Sequence, residues 1–122
     1  MTIDALKQFC LDLPSATWDF PFDDETVVFR VGNRIFALCG IRARPLTVNL
    51  KCEPGLARDL RASYPVIVPG WHMNKEHWNT VNLEAGLDDG FIEGLIRHSY
   101  DRVREGFPKA ARLALGPNSL PN

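Results

Sequence analysis

Residues 25–40 read Glu25-Thr26-Val27-Val28-Phe29-Arg30-Val31-Gly32-Asn33-Arg34-Ile35-Phe36-Ala37-Leu38-Cys39-Gly40. Two runs rich in β-branched and aromatic residues flank Gly32-Asn33, a pair suited to a two-residue hairpin turn. That turn sets Val31 opposite Arg34, Phe29 opposite Phe36 and Val27 opposite Leu38. One face of the hairpin is then apolar except at its tip. The other carries Thr26, Val28 and Arg30 against Cys39, Ala37 and Ile35. A third run alternates cleanly, with Leu46, Val48 and Leu50 on one side and Thr47, Asn49 and Lys51 on the other. Further on, Val81 and Leu83 point inward while Thr80 and Asn82 point outward. Strands with one apolar face belong in an antiparallel sheet that is covered on one side.

The covering layer reads as helices. Thr2 caps a first helix whose stripe is Ile3, Leu6, Phe9, Cys10 and Leu13, and Pro14 stops it. Pro54 opens a short helix with Leu56, Ala57 and Leu60, and Val66-Ile67-Val68 follows as an edge strand. Asp88 caps a last long helix, with Leu87 and Ile92 as its staple. Its buried stripe is Phe91, Ile92, Leu95, Ile96, Ser99, Tyr100 and Val103. Ser15 to Asp24 reads as a loop whose Phe20 and Phe22 plug the core. The fold class is therefore α+β, a two-layer sandwich with an antiparallel sheet and helices on one face. Residues 1–104 form one domain and 105–122 a C-terminal tail with a frayed end. The open face displays Arg30, Thr47, Asn49, Lys51, Thr80 and Asn82, the first functional candidate.

A chain of 122 residues buries roughly two-thirds of its unfolded surface, enough for a core without staples. With 45% hydrophobic and 24% charged residues, disorder and a disulfide scaffold are excluded. Cys10, Cys39 and Cys52 follow no ligand spacing and read as reduced, buried thiols. No signal peptide opens the sequence, and no apolar run approaches the roughly 20 residues of a membrane span. The expected location is cytoplasmic, away from membranes.

The net charge of −1 argues against a strongly basic nucleic-acid binder. Its distribution softens that argument. Residues 1–29 hold one basic and six acidic side chains, a net of −5; residues 30–61 hold seven and two, a net of +5. Residues 62–122 hold six and seven, a net of −1. The basic middle either offers a local field to a partner or packs against the acidic start.

No catalytic constellation is legible, and a non-enzymatic role is the reading. His98 and Ser99 are adjacent on a helix, so their side chains diverge. His72, Glu76 and His77 lack a third metal ligand at workable spacing, and Asp19, Asp23, Asp24 and Glu25 read as a solvated loop. No phosphate-cradling glycine motif occurs, so no nucleotide cofactor is implied. The densest chemistry is Trp71-His72-Met73-Asn74-Lys75-Glu76-His77-Trp78. Indoles and imidazoles there can stack on bases or pin a loop to the core, and Lys75 can meet a phosphate.

These residues carry a resemblance. Leu13-Pro14, Asp19-Phe20-Pro21-Phe22-Asp23, Val31-Gly32-Asn33-Arg34-Ile35-Phe36-Ala37 and Leu50-Lys51-Cys52-Glu53-Pro54 resemble segments of the MmcQ/YjbR family. So do the run from Trp71 to Val81 and Ser99-Tyr100-Asp101, with Trp71 where Tyr is common and Arg34 where Lys is. The resemblance implies a CyaY-like fold, related in shape to frataxins, and a DNA-binding role by analogy with a phage "double wing" domain whose curved sheet faces DNA. It implies no catalytic residue.

Three roles follow as expectations. The first is DNA binding through the open face, with Arg30, Arg34, Arg42, Arg44 and Lys51 on phosphates and His72 and Lys75 assisting. Five such contacts give a log–log salt slope of about −4.5. The second is a small-anion or protein-interaction module built on Lys51, Trp71, His72, Lys75, His77 and Trp78. The third, a frataxin-like iron role, lacks the acidic first helix it needs, since only Asp4 and Asp12 lie there.

Overall fold

The computed structural model describes residues 1–71 and 73–116. Helix α1 (Ile3–Asp12) leads into β1 (Ala16–Asp19), β2 (Thr26–Val31), β3 (Arg34–Gly40) and β4 (Thr47–Lys51). Helix α2 (Pro54–Ser63), β5 (Ile67–Pro69), β6 (Trp78–Asn82), α3 (Asp89–Glu105) and α4 (Lys109–Ala114) follow. Six strands form one sheet in the order β1-β2-β3-β4-β6-β5, every pair antiparallel. The excursion through α2 and β5 sends β6 back between β4 and β5. The helices bury one face against a core that includes Phe29, Phe36, Val48, Ile96 and Tyr100.

Local chemistry places most of these elements. Thr2 accepts the Ala5 N–H at 3.1 Å and caps α1, and Pro14 follows its end. Gly32 and Asn33 both have positive φ, 54° and 71°, so the turn suits a glycine and an asparagine. Glu53 caps α2 through the Gly55 and Leu56 N–H groups, which hold its carboxyl below the usual range. Asp88 caps α3 in the same way through Phe91.

Two expectations need correction. The hairpin register holds for the two pairs next to the turn, where Val31 faces Arg34 and Arg30 faces Ile35. Beyond them Phe29 faces Ala37, leaving Phe36 as the extra residue of a bulge. Val28 then faces Leu38 and Val27 faces Cys39, so Ala37 and Cys39 turn to the core and Leu38 to the open face. A one-residue slip reverses the facing of every later side chain. The bulge keeps Phe36 in the core, edge-on to Tyr100 with ring centroids 5.4 Å apart.

The segment after Ser15 is not wholly loop: β1 is an edge strand on β2, and Phe20 and Phe22 are exposed rather than plugging the core. A strand with Ala16 half-buried and its other three residues exposed shows little apolar alternation, which hid it. The C-terminal tail carries structure as far as Gly116. Helix α4 folds back, Phe107 and Leu115 pack on the core, and Ser15 donates to the Leu115 carbonyl at 2.9 Å. The expected fraying at the far end falls outside the described residues.

Candidate binding site

The connection from β5 to β6 is tied down residue by residue. Gly70 donates its N–H to Trp78 O at 2.8 Å, and a Cβ on Gly70 would sit 2.7 Å from Trp78 Cβ. Only glycine allows that approach. Asn74 turns the loop by accepting the Glu76 and His77 N–H groups at its Oδ1. Lys75 curls back so that its ammonium donates to Gly70 O at 3.1 Å. Trp71 stands 70% exposed, while Trp78 is half-buried. Backbone bonds and the half-buried Trp78 pin the loop.

On the face without helices, this loop walls a trough of about 760 Å3. Its floor crosses β3, β4 and β6 through Ile35, Leu38, Thr47, Asn49 and Thr80. Trp71 and Met73 rise at one side, and Phe22, 66% exposed, stands at the other. No described residue lining it carries a formal charge. The expected polar face is thus largely apolar, because Ile35, Leu38 and Val68 occupy outward positions. Arg30, Lys51 and Asn82 stand outside the trough. Apolar residues at outward strand positions were the signal that alternation alone passed over.

The expected basic set is divided. Arg30 and Arg34 sit at the hairpin tip and Lys51 ends β4 near it, whereas Arg42 and Arg44 lie in the β3–β4 loop. Six residues of β3 put roughly 20 Å between those two ends. Arg30 pairs with Asp19 at 2.8 Å and Arg42 with Glu25 at 3.2 Å, so the basic middle partly neutralises the acidic start. Arg44 approaches Glu84 at 3.6 Å, and the Arg34 guanidinium stacks 4.2 Å from the Phe107 ring centroid. Of the described members of the second set, Trp71 lines the trough and Lys51, Lys75, His77 and Trp78 do not. His72 lies outside the described residues.

Two motif residues that looked chemical are structural. Ser99 is fully buried, donates to Phe36 O at 2.5 Å and accepts the Lys51 N–H at 2.8 Å. It splices β3 to β4 where the bulge ends their ladder. The neighbouring His98 points elsewhere and accepts the Glu53 N–H at 3.1 Å. Burial, then the nearby Arg102, pulls His98 below its ordinary range. Among the described residues no cluster of three His, Cys, Asp or Glu side chains is placed to hold a metal. No helix among them is long and apolar enough to cross a membrane.

The sequence model of a protein family described as YjbR matches residues 11–102. The chain belongs to the YjbR family. Among YjbR relatives, the uncharacterised Escherichia coli K12 protein YjbR is 34% identical over 116 residues, covering 94% of this chain and 98% of that protein. The uncharacterised YbdF of Escherichia coli O157:H7 is 33% identical, with 93% of each covered. The crystal structure of Deinococcus radiodurans DR2400, described as a DUF419 domain, superposes with a TM-score of 0.91 at 44% identity, covering 98% of this chain and 91% of that one. A Pseudomonas syringae protein superposes with a TM-score of 0.73 at 29% identity over 84% and 98% of the two chains. The YjbR fold is therefore the α+β sheet-and-helix architecture described above.

Proposed function

We propose that this YjbR protein is a non-enzymatic binding module whose site is the trough on the open sheet face. The observation that carries this reading is a cleft of about 760 Å3, within the size of ordinary ligand sites and lined by uncharged side chains. Acid–base catalysis needs a group that titrates near neutrality. Among the described lining residues only Cys39 titrates, and burial pushes its thiol up to about 12. Among the described residues no cation lines it, so the charged half of the Lys51–Lys75 reading receives no support from this cleft.

DNA binding is the second reading. It is favoured by Arg42 and Arg44, whose side chains are well exposed on either side of Ala43 at the mouth of the trough. Exposed ion pairs are worth at most about 1 kcal/mol, so phosphates can displace Glu25 and Glu84 at small cost. Two such contacts give a salt slope of about −1.8, not −4.5. Amide shift mapping separates the readings. A pool of uncharged aromatic fragments should move Ile35, Leu38, Thr47 and Met73. A short DNA duplex that moves Arg42 and Arg44, with the fragments silent, replaces the first reading with the second.

A further inference from the structure

Thr80 donates its hydroxyl proton to Asn49 Oδ1 at 2.5 Å, and Thr80 Oγ1 itself accepts the Trp71 N–H at 3.0 Å. Asn49 Nδ2 in turn donates to the Trp71 carbonyl at 3.3 Å. These three bonds close a ring that holds both backbone groups of Trp71 on the sheet floor. Thr80 has one hydroxyl proton, so its direction fixes which way the Asn49 amide faces. The indole above this clamp is exposed and contributes little to the core. Backbone order at that point serves the placement of the ring rather than its burial.

From this geometry we infer that the trough takes a flat, uncharged aromatic molecule bearing a hydrogen-bonding group, stacked on the Trp71 indole. The inference rests on the trough being the binding site. An indole face favours an offset-stacked ring, and Met73, which lines the same trough, brings a thioether suited to soft contacts with aromatic edges. The Asn49 amide has two N–H groups and two lone pairs, and the ring spends one of each. One donor and one acceptor remain on a residue that lines the trough. A charged group seated there would lose its hydration without gaining a counter-ion from the described lining residues. Asn49 and Thr80 are positioning residues for Trp71, and Asn49 also reads the polar group.

Benzamide, benzoate and cyclohexanecarboxamide test the three parts of the inference. Each is titrated into the full chain while the Trp71 indole N–H and the Asn49 side-chain amide are followed by NMR. Benzamide should bind about tenfold more tightly than the other two, and Trp71→Leu should remove most of that advantage. Thr80→Val should weaken benzamide as Trp71→Leu does, while Thr80→Ser retains it, a rescue that loss of packing alone would not give. Equal affinity for all three probes, or preference for benzoate, overturns the ligand class and leaves the trough as the site. Probes that move no trough resonance overturn the site and the inference together.

Discussion

Single side chains decide whether the strands join. The Ser99 hydroxyl bridges the Phe36 carbonyl and the Lys51 N–H, so Ser99→Ala leaves both groups without that partner. A loss of about 1–3 kcal/mol is expected, read as a lower urea midpoint at unchanged slope. Two glycines give opposite outcomes with alanine. Gly70→Ala drives a Cβ to 2.7 Å from Trp78 Cβ and 3.0 Å from Trp78 O, and should cost about 1–3 kcal/mol. At Gly94 nothing lies within 4 Å in a helix interior, and alanine should stabilise by up to about 1 kcal/mol. Urea unfolding of the two variants side by side checks both signs. None of these roles was legible from residue type, since Ser99 in a helix offers no hint of the strands it bridges.

Between elements, α3 meets the N-terminus of α2 through His98 and Glu53. His98 must be neutral at Nε2 to accept the Glu53 N–H, and its folded-state value lies below the ordinary 6.5. The unfolded chain therefore binds more protons, so this contribution is full above about pH 6.5 and declines as pH falls through it. Glu53 also titrates below its ordinary 4.5, because the Leu56 and Gly55 N–H groups hold its charged form. Its contribution is lost at a lower window, below about pH 4.5. Stability measured from pH 7.5 to 5 should fall less in His98→Gln than in the parent. An equal fall in both would remove His98 as the cause. The helix starts at Thr2, Pro54 and Asp88 were readable because capping is a local event of three or four residues. Strand β1 and helix α4 were not, because both owe their places to distant partners.

Across the whole molecule the three thiols are sealed. Cys10, Cys39 and Cys52 are buried and free, and burial pushes Cys52 up to about 11 and Cys39 to about 12. A thiol-reactive disulfide reagent should label none of them until the chain unfolds, with all three reacting together in denaturant. Early labelling of one cysteine would place a local opening there. Charge also resolves only at this scale. The −5 and +5 segments meet through Arg30–Asp19 and Arg42–Glu25, so the neutral total is partly made by contact and not only by counting. The sequence by itself determined the fold class, the caps Thr2 and Asp88, the hairpin turn and the alternation of β4 and β6, because each is written in residues a few positions apart. Tertiary structure alone decided the bulge at Phe36, the insertion of β6 beside β4 and the apolar trough. Those arise where segments far apart in the chain compete for one core and one sheet, and which strand neighbours which is not encoded in any single run of residues.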